Sequence, residues 1–182
     1  MNAWPLLVAA ATIVQGAAPV APAQDPPAPP PIRTEKASGF EVQFVGTPWR
    51  PDVFLAMESG GSDGERQRSW AFARLDAGWY FAIDGRMVPP GHYALTLNPK
   101  TGSLPMTLEL RRADGPDFLG DPTTMPSPPA GESVYKAPAV FAATNDPVPV
   151  LDLTLARGGG GVTLTIRYGN RKLTKDLVRT EP

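Results

Sequence analysis

Val148–Val178 reads VPVLDLTLARGGGGVTLTIRYGNRKLTKDLV, and this stretch decides the fold class. Leu151, Leu153 and Leu155 alternate with Asp152 and Thr154. Beyond the four glycines Gly158–Gly161, Leu164, Ile166 and Tyr168 alternate with Thr163, Thr165 and Arg167. An alternation of period two is the pattern of a strand with one face buried. The glycines predict a hairpin connection. Gly169-Asn170, with glycine first, predicts a two-residue type II′ turn into Arg171–Leu177. The last three strands therefore read as a meander.

The same pattern extends upstream. Phe40, Val42 and Phe44 alternate with Glu41 and Gln43, and Tyr93, Leu95 and Leu97 alternate with Ala94, Thr96 and Asn98. Trp70, Phe72 and Arg74 share one parity, and Trp79, Phe81 and Ile83 lie on another strand. Val53–Met57 is a short apolar run that joins the strand series, and Leu104–Leu110 alternates less cleanly around Pro105. Asp84-Gly85 sits between two strand-like runs as a tight turn. No stretch shows a helical period over a dozen residues. The expected fold is all-β, a single antiparallel β-sandwich (immunoglobulin-like or a flattened barrel) of about eight or nine strands. Residues 114–131, with five prolines, form a long loop of the kind that is often functional or disordered.

Composition removes several chemistries. The 182 residues carry 17 Lys or Arg against 18 Asp or Glu, so no global charge draws the chain to nucleic acid. Cysteine is absent, which excludes thiol nucleophiles, disulfides and thiolate-held metals. The single histidine, His92, excludes a multi-histidine metal site within one chain.

The first 23 residues hold no charged side chain, and Leu6–Val14 is an apolar run too short to span a bilayer. With Ala21-Pro22-Ala23 supplying small residues before a cut, 1–23 reads as a Sec-type signal peptide. A bacterial periplasmic or extracellular location follows as the expectation. Eight of the 23 prolines fall in the first 31 residues, and QDPPAPPP (24–31) reads as polyproline II. Residues 24–38 are therefore expected to be a Pro-rich disordered linker, and 39–182 the β-sandwich domain.

Val88–Leu97 reads VPPGHYALTL, with Asp84-Gly85 before it. Together with Val148–Val178, it resembles the bacterial secreted family labelled domain of unknown function twenty-nine eleven. Members of that family carry a Pro-Ala-Gly-x-Tyr-x-Leu turn and strand, and an aromatic-Gly turn before the last strand. Pro89-Pro90-Gly91-His92-Tyr93-Ala94-Leu95 and Tyr168-Gly169 occupy those places. The family's Trp-Arg-x-Gly-Ala-Asn-Glu and Gln-Trp-Gly segments are missing. Trp49-Arg50 shares two letters of the first but stands too far upstream. The resemblance implies a shared β-fold and export and carries over no site. A Pro-x-Gly-x-Tyr turn also recurs in immunoglobulin-like domains, where the tyrosine bonds back across a corner.

Four residues are candidates for ligand binding. His92 is the one side chain whose ordinary pKa lies near neutrality, and alternation points it outward beside Ala94. Trp70, Trp79 and Tyr80 are aromatics that, if exposed on a sheet, stack on sugar rings or anchor a partner. The plainer account makes His92 a solvated strand residue and the aromatics core. Acidic loops (Glu58, Asp63 and Glu65; Asp114, Asp117 and Asp121) match no calcium-loop spacing. Gly158–Gly161 lacks the lysine and helix of a phosphate loop, and no Gly-x-Ser-x-Gly elbow occurs. Arg167, Arg171, Lys172, Lys175 and Arg179 make the C-terminal hairpin basic. Such charges blunt an edge strand or meet an anionic surface.

No catalytic residue, metal or cofactor is expected. The sequence favours an exported, non-enzymatic binding or accessory β-domain of the bacterial envelope, its partner an envelope protein or a glycan. Nucleic acid is excluded as a partner, and no transmembrane span is expected once the signal is cut. A carbohydrate-binding module would need an exposed coplanar aromatic pair. A hydrolase would need two carboxylates a few ångströms apart in a cleft, one with a raised pKa.

Overall fold

The alternating segments become ten strands in a computed structural model that describes residues 31–60, 68–113, 119 and 126–182. In chain order these are β1 (Ile32–Ala37), β2 (Phe40–Val45), β3 (Trp70–Ala77), β4 (Phe81–Ile83) and β5 (Arg86–Val88). They continue with β6 (Gly91–Asn98), β7 (Thr107–Arg112), β8 (Ser133–Pro138), β9 (Ala142–Gly158) and β10 (Gly161–Arg179). One sheet is ordered β1-β2-β3-β6-β7-β8 and the other β5-β4-β10-β9. All the strand pairs are antiparallel. The two sheets face each other as an all-β sandwich and do not close into a barrel.

The core lies between the inner faces. Phe40, Val42, Leu75, Tyr93, Leu95, Leu108 and Leu110 meet Phe81, Ile83, Leu153, Leu164, Ile166 and Leu177. Tyr93 forms the expected corner, its hydroxyl donating to the Pro89 carbonyl at 2.5 Å.

The β10 segment doubles back. Nineteen residues in one straight strand would span roughly 60 Å. Instead Arg179 N–H donates to the Gly160 carbonyl at 3.1 Å. Thr163 Oγ1 also donates to Asp176 Oδ1 at 2.6 Å. The fold-back is at Gly169-Asn170, where Gly169 has φ 58° and Asn170 is not in the left-handed region. This is the type II′ geometry that the sequence predicts. The second arm is paired at both ends, Arg171-Lys172 with β9 and Leu177–Arg179 with β4. Its cations are thus not guards of a free edge. Arg167, Arg171 and Lys175 bind Asp146, Glu58 and Asp84 instead.

Three expectations are corrected. Residues 32–37, expected within the disordered linker 24–38, form β1 along the full length of β2. Thr34 and Lys36 meet Gln43 and Glu41 there, so pairing begins directly after the proline run. Val53–Met57 belongs to helix α1 (Pro51–Ser59), not to a strand. Pro51 opens the helix, where its missing N–H costs nothing. Gly60 at φ 75° closes it, bonding back to Ala56. Val53, Phe54 and Met57 share the buried side, the i, i+1, i+4 set of a helix. Third, Trp79 and Tyr80 lie in the loop between β3 and β4, not on a strand.

A bulge between Ala71 and Ala73 breaks the parity of β3. It turns Trp70 inward opposite Leu97 and frees the Ala71 N–H, which donates to the Pro126 carbonyl at 2.9 Å. The segments 1–30, 61–67, 114–118 and 120–125 lie outside the described residues. They contain the expected signal peptide, the start of the linker, most of the acidic-loop residues and much of the 114–131 loop.

Candidate functional site

The sandwich has two unlike ends. The end capped by α1 is filled. Trp49 meets Tyr168 edge-on at 4.6 Å and Phe54 at 5.4 Å, Phe54 meets Phe141 at 5.1 Å, and Trp70 meets Tyr168 at 5.3 Å. Tyr168 also donates to the Pro48 carbonyl at 2.7 Å. Burial pushes its phenol above the ordinary value, so the hydroxyl stays protonated as a donor.

The opposite end is open. Four chain reversals meet there: Ser38-Gly39, Gly78–Tyr80, Pro89-Pro90 and Gly159-Gly160. They enclose two adjoining grooves. One, of about 660 Å³, is bounded by Lys36, Glu41, Asp76, His92 and Arg157. The other, of about 730 Å³, is bounded by Trp79, Arg157, Arg179 and the glycines 158, 160 and 161. Ser38, Gly39, Phe40 and Arg157 border both.

Cross-strand register places the polar groups of the first groove in one row. Lys36 pairs with Glu41, Glu41 with Asp76, and Asp76 with His92. Lys36 Nζ binds Glu41 at 2.7 Å. Lys36, helped by the Gln43 amide, holds the Glu41 carboxyl below its ordinary pKa. Asp76 Oδ1 accepts from Arg74 Nε at 2.8 Å and lies 2.7 Å from His92 Nδ1. Arg74 Nη2 also lies 3.0 Å from the same His92 Nδ1, so Arg74 and Asp76 share that ring nitrogen, whose donor or acceptor role follows the tautomer. Ser38 borders the same groove, and among the described residues no hydrogen bond joins it to His92.

In the second groove Trp79 is held on two sides. Gly39, at φ 80°, lies so close to the indole that a Cβ there would overlap Nε1. Arg179 covers the indole with its guanidinium carbon 4.1 Å from the ring centroid. Trp79 is still 43 % exposed.

Of the four candidates, the structure brings Trp79 and His92 to adjoining grooves. Trp70, at 2 % exposure, is core and is corrected as a ligand contact: the β3 bulge turns it into the aromatic plug. Tyr80 is half-buried, borders neither groove, and uses its carbonyl to accept from Thr180 N–H at 2.9 Å. Lys36, Gly39 and Arg157 were missed as site residues. Arg157 carried a faint signal, an arginine at a strand end just before a glycine turn.

Two further polar clusters support the scaffold. Glu109, 2 % exposed, accepts from Asn98 at 2.7 Å and binds Arg111 at 3.0 Å. Burial alone would raise its pKa, but hydrogen bonds from Ser133 and Asn98, with the Arg111 charge, hold it below the ordinary value. At the β4–β5 turn, Asp84 accepts from Tyr135 and Lys175, both at 2.5 Å. Burial raises Asp84 as well, and those two donors outweigh it, leaving the carboxyl below its ordinary value.

Among the described residues no helix is long and apolar enough to cross a membrane, and no group of three or more acidic or histidine side chains is placed to hold a metal ion. No protein-family model, curated protein or solved structure matches the chain.

Proposed function

We propose that the protein is an exported, non-enzymatic binding domain of the bacterial envelope, and that it takes its ligand at the open end of the sandwich. The single observation that carries the binding reading is the pair of adjoining grooves bounded by four chain reversals, with Trp79 and His92 at their margins. Each groove has a volume that suits a small ligand or one unit of a polymer. Export rests on the signal-like 1–23 segment. The local family resemblance at Pro89–Leu95 points the same way.

The alternatives fit less well. A sugar platform needs a bare aromatic face, and Arg179 lies over Trp79 while Trp70 is buried. A carboxylate hydrolase needs one acid kept protonated near neutrality. Glu41 and Asp76 are neighbours, but Lys36 holds Glu41 ionised and Arg74 pairs with Asp76.

The test is the melting temperature of the protein against a panel of glycans, small acids and divalent metals, with chelator as control. A ligand at one hundred times its Kd adds about 2.7 kcal/mol, which raises Tm by roughly 5–10 °C for a domain this size. The expected result is such a shift, lost in Trp79→Ala or His92→Ala. A shift that survives in both variants moves the site elsewhere and overturns the reading.

A further inference from the structure

The second groove has a one-sided charge. Its margin holds Arg157 and Arg179 and no carboxylate. Several other arginines are paired, Arg33 with Asp152, Arg74 with Asp76, Arg111 with Glu109, Arg167 with Asp146 and Arg171 with Glu58. Neither Arg157 nor Arg179 has an acidic partner among the described residues. Two guanidiniums thus border one hollow, and neither forms an ion pair there, the carboxylates of Glu41 and Asp76 lying on the adjoining groove.

The surroundings prepare one of them. Arg179 sits over the Trp79 ring, its guanidinium carbon 4.1 Å from the centroid, and Trp79 is backed by Gly39. Stacking removes water from one guanidinium face and limits its rotamers, leaving the N–H edge to donate. A fork of parallel N–H donors matches the two oxygens of a carboxylate or phosphate. Gly158 and Gly160 contribute margin with open space where a Cβ would stand, so a ligand can approach the backbone closely. Trp79 and Phe40 supply apolar wall beside the charge.

Resting on the binding reading above, we propose that this groove takes an oxyanion, carboxylate or phosphate, carried on a small organic body. Arg157 and Arg179 clamp the acid group, and the body lies along the Trp79 margin.

The test is a titration followed by NMR of the Trp79 indole N–H and the Nε–H signals of Arg157 and Arg179. The probes are phenyl phosphate, benzoate, inorganic phosphate and the neutral phenyl β-glucoside. The expected result is saturable shifts at all three side chains with phenyl phosphate or benzoate. Inorganic phosphate binds more weakly, since it lacks the ring, and the glucoside leaves the signals in place. Arg157→Gln or Arg179→Gln should weaken the acid probe at least tenfold with Tm unchanged, and added salt should weaken it further. Shifts that ignore both variants, or acids that leave the three signals still while the glucoside moves Trp79, overturn the oxyanion proposal and leave the binding reading standing. If neither the acids here nor the ligand panel above engages this end, both readings fall together.

Discussion

Each end of the sandwich rests an indole on a left-handed glycine, and the two pairs serve opposite ends. Trp49 lies against Gly169 (φ 58°) and is enclosed by Tyr168 and Phe54. Trp79 lies against Gly39 (φ 80°) and has only Arg179 over it. The local device is the same: removing a Cβ lets a flat ring approach the backbone. What differs is the company. Aromatic neighbours make the first indole part of the core, whereas a guanidinium leaves the second at the surface with an unspent charge beside it. Aromatic packing is concentrated at one end, and the recognition proposed above lies at the other.

The contrast breaks most visibly by truncation. Trp70→Ala or Phe54→Ala empties the plug and is expected to cost about 3–5 kcal/mol, lowering Tm by roughly 10 °C in thermal unfolding followed by circular dichroism. Trp79→Ala, at the exposed end, should cost less than about 1 kcal/mol. Equal losses at both ends would show that the open end is also structural.

The two glycines sharpen the comparison. Gly169→Ala must hold an L-residue in the left-handed region, about 1–2 kcal/mol, and also push Trp49 out of a packed cluster. Gly39→Ala carries the same backbone cost, but Trp79 can swing into solvent. Chemical denaturation should rank Gly169→Ala below Gly39→Ala in stability. Trp79 emission should redden in the Gly39 variant, while the Gly169 variant leaves Trp79 unchanged.

A smaller effect tests where electrostatics enters. Asp84 has a folded pKa below its ordinary value of 3.8. Its ionised form is the one the fold favours, so its contribution is complete above that value and fades as pH falls through the folded pKa. Asp84→Asn should lower Tm by a few degrees at pH 7 and bring the two proteins together as the pH falls through the folded pKa of Asp84. A constant gap across that range would mean that hydrogen bonding, not charge, secures the β4–β5 turn to Tyr135 and Lys175.

Much of this fold was legible in the chain. Alternation marked the core strands, and Gly169-Asn170 and Asp84-Gly85 marked turns because their backbones need positive φ. The helix was not legible because Val53–Met57 is too short for periodicity to separate helix from strand. The informative signs were its frame, Pro51 ahead and Gly60 behind. β1 was hidden by the composition of the proline run beside it. Trp70 was misread because one inserted residue in β3 reverses the parity on which the alternation argument depends. The site was half legible. Trp79 and His92 stood out as residue types, but the grooves are assembled from reversals scattered between Lys36 and Arg179. Nothing local in the chain says that Arg157 borders the same groove as Trp79.

The fold-back of β10 has a consequence in time. The β4–β5 ribbon joins its sheet only through Leu177–Arg179. During synthesis its partner therefore arrives roughly ninety residues late, which at about 5–20 residues per second is some 5–20 seconds of waiting. Until then Phe81 and Ile83 have half a core to bury against and one unmatched edge. A sandwich wired in this way completes its second sheet only after Leu177–Arg179 have been made.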